Sequence, residues 1–532
     1  MGRTQTRAGI LHAALARLKL ELVLFALLAI FLGVAYFQRT DADRDLVFER
    51  YRLPDSYATP VLSIRNNRNM EKVGVAVLVH GFQCNKSMMA ALGKSLAARG
   101  VDVYAIDLPG HGESRVRFTL ENGYAAARQA VAEVMRLAQV SDRQVVLIGH
   151  SYGSTVLGPV ALGRPQIAAS IYVGPGPVEH LSPDHPRNVL IVTAEHDYAH
   201  VKTYAQKSFD DLTGHRRSEP GATLYGDIST GTARAWMQVP GVAHVNMLTS
   251  DDVSRWAVGW TEQALGAKRS SGGVFSPAPA AYIVFIILGM SIVAVSLVAK
   301  LVPTSTRGEE ALAFSGSWAR PLLVFGYGIA CGFVLVGYCI RLSFLHLFEG
   351  EIIASLVFAI GVSAWVVFLI VERRFTLPTS AAFAWETIAG LIGFLAFYVV
   401  LVFAVQQDFY HIEVSFRHPG RLLAFGVIAL CSLPLFVLLE TFLRRIQGAF
   451  RGFARGAIAS LAAAAVFYAA LAVSLYLVAN RLARFNETLF AAMGFCALVG
   501  SVYYYHRKST LGGALFTSFV VAWLISVGFI YY

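Results

Sequence analysis

Gln144-Val145-Val146-Leu147-Ile148-Gly149-His150-Ser151-Tyr152-Gly153 is the stretch on which the fold turns. The apolar run Val145–Ile148 ends at a glycine and reads as a buried strand, and the residues after Gly153 are compatible with a helix. Between them stands a serine with glycine two positions away on either side. A strand-to-helix turn that presents a nucleophile is too tight for side chains at those flanking positions, which is why the chemistry demands Gly149 and Gly153. Such a turn lifts the Ser151 hydroxyl above the carboxyl end of a sheet. It also aims the Tyr152 N–H at negative charge developing on a substrate oxygen. The five-residue string alone is weak; placed between a strand and a helix it is strong.

The chain from Ala58 to Leu265, around this stretch, alternates short apolar runs with helical stretches. Strands are predicted at Val75–His80, Val101–Asp107, Gln144–Gly149, Ala168–Val173, Asn188–Ala194 and Arg234–Val239, with helices including Lys86–Ala98 and Gly123–Ala138. That alternation predicts a doubly wound, mostly parallel sheet covered by helices on both faces.

Several ordered motifs then carry a family resemblance. His80-Gly81-Phe82 follows the first of these strands, Asp107-Leu108-Pro109-Gly110-His111-Gly112-Glu113-Ser114 follows the next, and the Ser151 turn comes third. With them, residues 73–248 resemble the α/β-hydrolase superfamily of serine esterases and lipases. The resemblance implies a triad in the chain order serine, acid, histidine. Asp197, just past the strand Asn188–Ala194, is then the acid, with Glu195 as the alternative, and His244, after the last strand, is the general base. It further implies an oxyanion hole made by the backbone N–H groups of Phe82 and Tyr152. His80, His111 and His150 read as structural parts of their turns. No histidine spacing suggests zinc, and the chemistry calls for no cofactor or metal. Many relatives carry a helical lid between the strand after the nucleophile helix and the strand before the acid. Here only Gly174-Pro175-Gly176-Pro177 and a short polar connection fill that place, which predicts an open mouth.

Composition divides the chain. Only 15% of its 532 residues are charged, against about 25% in soluble domains, and the mean hydropathy is +0.54. The excess apolar content lies after Ala280, in runs at about 280–302, 321–342, 352–371, 384–406, 422–443, 457–480, 487–505 and 511–532. These predict an all-α polytopic membrane domain over 280–532 with about eight spanning helices. The expected order is a cytoplasmic leader 1–19, a first transmembrane helix 20–37, an α/β-hydrolase domain 45–268, a linker 269–279 and then the membrane domain. A cleaved signal peptide is the alternative for the first apolar run. Either reading exports the domain that follows.

The net charge of +11 suggests nucleic acid only until the cations are placed. With the leader inside, inner segments carry Arg3, Arg7, Arg17, Lys19, Lys300, Arg307, Arg320, Arg373, Arg374, Arg444, Arg445, Arg451, Arg455, Arg507 and Lys508. The outer loops between later helices carry Arg341, Arg417, Arg421, Arg481 and Arg484. Fifteen against five is the bias expected of a multi-pass protein of the inner (plasma) membrane with its hydrolase domain on the extracytoplasmic face. No basic stripe interleaved with aromatics suggests nucleic acid. Glu386 and Glu440 fall near inner helix ends, where snorkelling would expose them.

The function expected from the sequence is a membrane-embedded serine hydrolase of ester-type acyl bonds. Its expected partner is a membrane lipid or lipid-linked substrate, since one helix would suffice as a tether. His346, Glu349, His411 and Arg417, in two outer loops, are candidate substrate-binding residues; anchoring of helices at the interface explains the same loops. Two other readings share the sequence: a transporter or channel-like protein with an accessory hydrolase domain, and an acyltransferase using the same triad.

Overall fold

A computed structural model describes residues 23–31, 33–34, 44–67, 72–214, 219–221, 224–267, 280–303, 314, 316–338, 342–347, 349–372, 380–402, 416, 419–479 and 483–529. They fall into two compact units, one holding the β-sheet and the other the helices from Ala281 onward.

The first unit is an eight-stranded sheet. In chain order its strands are β1 (Leu46–Arg52), β2 (Pro60–Asn66), β3 (Gly74–Val79), β4 (Val101–Ile106), β5 (Val145–His150), β6 (Ala169–Val173), β7 (Val189–His196) and β8 (Arg234–Ala243). Across the sheet they run β1-β2-β4-β3-β5-β6-β7-β8. All neighbours from β4 to β8 are parallel, while β1 and β2 pair antiparallel at one edge. The six predicted strands are all present. β1 and β2 are additional.

Burial on both faces explains the sequence pattern, because a parallel strand covered on each side reads as a near-continuous apolar run. Successive residues still alternate between two cores. Ala76, Leu78, Val146 and Ile148 pack with Leu92, Leu96, Val253, Ala257 and Trp260 from the helices Ala90–Ala97 and Asp251–Ala264. Val75, Val77, Val145 and Leu147 pack with Ala127, Val131, Val134, Val156 and Leu157 from the helices Leu120–Ala138 and Tyr152–Leu162. The parallel strands all end on the same side, which is where a doubly wound sheet presents its ligand site.

The second unit holds the helices Ala280–Leu301, Ala319–Tyr338, Gly350–Glu372, Ser380–Leu401, Pro419–Gly448, Phe453–Ala479, Ala483–Arg507 and Leu511–Gly528. Six of the helices among the described residues are long and apolar enough to cross a membrane: Ala319–Val336, Gly350–Glu372, Phe383–Leu401, Pro419–Gly448, Phe453–Val473 and Leu511–Gly528. Leu288–Leu301 is a shorter apolar helix. The expected linker 269–279 lies outside the described residues.

Inside this bundle the structure corrects one expectation. Glu386 and Glu440 do not reach out to solvent but are buried. The Arg507 guanidinium donates to Glu386 at 2.9 and 3.0 Å, and also to the carbonyls of Ala299, Val302 and Pro303 at the end of the helix Ala280–Leu301. Arg444 lies 3.0 Å from Glu440, one turn earlier on the same helix, and donates to Ser501 Oγ at 2.5 Å. Arg421 similarly donates to the carbonyls of Ser526 and Phe529 at the end of the last helix. Arg507 and Arg421 fasten helices to one another by satisfying carbonyls that a helix end leaves without intrahelical partners, whereas Arg444 joins its helix to Ser501 and the Ala497 carbonyl inside the helix Ala483–Arg507.

Candidate active site

Ser151 sits between β5 and the helix Tyr152–Leu162 with φ 53° and ψ −117°. A positive φ is strained for a residue with a Cβ and persists only where its surroundings impose it. The backbone clamps do so. Ser151 N–H donates to Val173 O at 2.9 Å, and Ser151 O accepts from Ser154 N at 2.9 Å and Gly176 N at 3.1 Å. The flanking glycines are required sterically: a Cβ on Gly149 would lie 2.5 Å from Ser154 N, and one on Gly153 would lie 2.2 Å from Val79 O.

Asp197 follows β7 and His244 follows β8, and the structure brings the two together. His244 Nδ1 lies 2.7 Å from Asp197 Oδ1, with both side chains buried. Asp197 also accepts from Tyr198 N at 2.9 Å and Ala194 N at 3.2 Å. Burial alone would push this carboxyl up, but the hydrogen bond from His244 and the two backbone donors together hold it below the usual carboxylate range. Glu195 is not at His244; its carboxylate accepts from Gly241 N at 2.7 Å near the surface. With Nδ1–H donating to Asp197, His244 Nε2 is left as the acceptor, and it is buried with no hydrogen-bond partner. Neighbouring rings enclose the imidazole: His150 at 4.9 Å and Tyr198 at 5.4 Å between centroids.

No hydrogen bond joins Ser151 to the His244–Asp197 pair, since His244 Nε2 has no partner. Hydrogen bonds of this kind commonly tighten only when substrate is bound. His150, the residue preceding Ser151, spans the gap, with its Nε2 3.3 Å from His244 O.

The expected oxyanion turn lies against the serine, since a Cβ on Gly81 would meet Ser151 Cβ at 3.1 Å. Phe82 and Tyr152 meet edge to face at 5.7 Å, and Phe118 joins both rings, at 5.4 and 6.0 Å. His111 lies 5.8 Å from Phe82, so the wall of the site is aromatic. The residues between β6 and β7 form no helix, so the strand ends carry no helical lid at that point.

Two features escaped the sequence reading. Phe118 sits in a loop with no motif to mark it. Lys86 is fully buried, with Nζ 2.5 Å from Asp107 Oδ2. A lysine is ordinarily an exposed residue, and no spacing in the sequence announces otherwise. Among the described residues no group of three or more His, Cys, Asp or Glu is placed to hold a metal ion. In the helical unit, His346 closes the short turn Ser343–Leu345 with φ 51°, and Glu349 follows with φ 62°. His411 and Arg417 lie outside the described residues.

Residues 76–287 match the model of the alpha/beta hydrolase family. The chain carries an α/β-hydrolase domain, joined to a membrane-helical one. A curated relative, bis(hydroxyethyl) terephthalate hydrolase of Streptomyces coelicolor, is 24% identical over 199 residues, covering 36% of this chain. The match spans 56% of that relative's length. Among solved structures, a Thermus thermophilus protein is 18% identical, covering 42% of this chain and 99% of its own, with a TM-score of 0.32. A bacterial membrane phospholipase A is 12% identical, covering 49% of this chain and 100% of its own, with a TM-score of 0.34.

Proposed function

We propose that this α/β-hydrolase domain is a serine hydrolase of ester-type acyl bonds. The observation that carries the reading is the buried 2.7 Å His244–Asp197 pair, with its Nε2 acceptor unused, next to an elbow serine held at φ 53°. Ser151 Oγ attacks the ester carbonyl carbon while His244 Nε2 takes the hydroxyl proton. Asp197 holds the tautomer and stabilises the imidazolium. The carbonyl oxygen becomes an oxyanion received by the N–H groups of Phe82 and Tyr152, donors worth about 2.7–4 kcal/mol each in such sites. The C–O bond to the leaving alcohol breaks as His244 returns the proton to it. Water, deprotonated by the same imidazole, then attacks the acyl-serine ester and releases the acid and free Ser151.

The substrate class we assign is a lipid or lipid-linked ester. Six helices apolar enough to cross a membrane support it, because substrate chains left in a bilayer avoid a cost of about 0.8 kcal/mol for every CH₂ brought into water. The curated relative is by name a hydrolase, which agrees with the reaction. The cation bias of the sequence supports a multi-pass protein of the plasma membrane with its catalytic unit outside. The test is labelling of the full-length protein with a fluorophosphonate, together with lipid profiling of cells carrying Ser151→Ala. Labelling confined to Ser151, and a lipid ester that accumulates in the variant, are expected. Equal labelling of Ser151→Ala rejects the nucleophile, and an unchanged lipid profile rejects the substrate class.

A further inference from the structure

We propose that Lys86 is a positioning residue for the oxyanion turn, acting through Asp107; this rests on Ser151 being the nucleophile. The turn 80–86 and the loop 107–114 are joined at one carboxylate. Asp107 Oδ1 accepts from the Lys86 backbone N–H at 2.7 Å. Asp107 Oδ2 accepts from Lys86 Nζ at 2.5 Å and from Glu113 N at 2.9 Å. Both side chains are completely enclosed. Gly112, at φ 51°, folds directly over the carboxylate, since a Cβ there would stand 2.4 Å from it.

The same junction reaches the expected oxyanion donor. Leu108 N, next to Asp107, donates to His80 Nε2 at 3.2 Å, which puts the ring proton on Nδ1; Nδ1 donates to Gly81 O at 2.8 Å. Gly81 O also accepts from Cys84 N at 3.2 Å. A trans peptide is planar and directs its C=O and N–H oppositely. Holding Gly81 O therefore fixes the direction of the Phe82 N–H. Lys86 anchors the far end of this turn, four residues after Phe82, to the strand end that supplies Asp107.

A buried carboxylate is tolerable as an anion only with its counter-charge present. The charged and titratable groups facing Asp107 are Lys86, His80 at 4.0 Å, and Glu113, which lies 3.4 Å from Lys86 Nζ. Removing the ammonium leaves an anion beside Glu113 and a histidine that burial keeps neutral. Asp107 then moves towards its protonated form or the turn opens, and raising the pH favours opening.

The test uses the full-length protein with Lys86→Met, Asp107→Asn and the double variant, on a short-chain p-nitrophenyl ester between pH 6 and 9. For Lys86→Met, kcat should fall about a hundredfold, as for loss of one oxyanion donor, with KM within about twofold. The deficit relative to wild type should widen as pH rises. The double variant is uncharged and close in shape, so it should recover much of the loss and remove its pH dependence. If Lys86→Met does not fold, Asp107→Asn compared with the double variant reads the same coupling. A loss equal in single and double variants and constant with pH shows a merely structural role and overturns the proposal, as does unchanged kcat. Fluorophosphonate labelling of wild-type Ser151 is read separately. Its absence removes the underlying site, and this proposal with it.

Discussion

Asp197 Oδ1 and His244 Nδ1 lie 2.7 Å apart in a buried pair that joins the ends of two adjacent parallel strands, β7 and β8. The pair fixes which ring nitrogen is protonated. Asp197→Asn preserves shape but favours the wrong tautomer, so kcat should fall by roughly 10⁴ with folding intact. Glu195→Gln, whose side chain bonds Gly241 instead, should stay within a few-fold of wild type. Steady-state kinetics on both variants, with circular dichroism as the folding control, distinguish the two acids. A larger loss in Glu195→Gln would reverse the assignment.

A second prediction concerns pH and stability. Burial raises the Asp107 carboxyl and Lys86 and His80 lower it, with the net effect downward. A depressed folded value contributes stability that is present above the unfolded value, about 3.9, and is lost as pH falls through the folded one. Asp107→Asn leaves the buried Lys86 ammonium with only Glu113, 3.4 Å away, as its counter-charge and should cost about 3 kcal/mol at pH 7, the low end for a broken buried pair. The gap in melting temperature between wild type and this variant should narrow as pH is lowered from 7 towards 3, because wild type loses the same pair. A gap that is constant with pH means that the pair does not stabilise the fold.

The strained elbow makes a third prediction. Both Ser151→Gly and Ser151→Ala remove the nucleophile, but only glycine adopts φ 53° without steric cost. Replacing alanine by glycine usually destabilises by roughly 0.5–1 kcal/mol, against strain of about 1–3 kcal/mol at such a site. Ser151→Gly should therefore melt at or above Ser151→Ala. A clearly lower melting temperature would show that the turn is relaxed.

Orientation gives a fourth. Reporter fusions after Lys268 and after Tyr532 should both report the extracytoplasmic face, as the first span plus eight later ones expected from the sequence, together with the cation bias, predict. A cytoplasmic signal after Lys268 would overturn the topology and with it the substrate pool.

How much of this was legible depended on whether a residue's environment is set locally. The elbow glycines and six parallel strands follow from short-range sterics and from runs buried on both faces, so their residue types declare them. β1 and β2 did not show: Leu46-Val47-Phe48-Glu49-Arg50-Tyr51-Arg52 is half-buried along most of its length and mixes charges into an edge position, which blurs the period. Asp197 could be chosen over Glu195 only by the family's usual placement of the acid on the loop just past this strand, because their separation at the strand end is a matter of tertiary geometry. Lys86 and Glu386 were invisible for one reason. Each is paired with a residue distant in the chain, Asp107 and Arg507, and a charged residue otherwise implies exposure. Glu440 and Arg444, at helical i,i+4 spacing, did carry a local signal.

The Glu386–Arg507 pair provides the last prediction. Arg507 bonds Glu386 and three carbonyls near the end of the helix Ala280–Leu301, so one guanidinium ties the helices 380–401 and 483–507 to a third. Arg507→Met removes all of these bonds and leaves a buried carboxylate. Glu386→Gln leaves the cation its carbonyls. The first should therefore be the more damaging, by a margin set by the stranded charge, several kcal/mol for an ion removed from water. Adding Glu386→Gln to Arg507→Met should recover part of that loss, because the carboxylate is then gone. Detergent-resistant yield and melting temperature of the two single variants and the double variant measure the coupling directly. Strictly additive losses would mean that the two groups do not depend on each other, and that Arg507 acts only by capping the helix end.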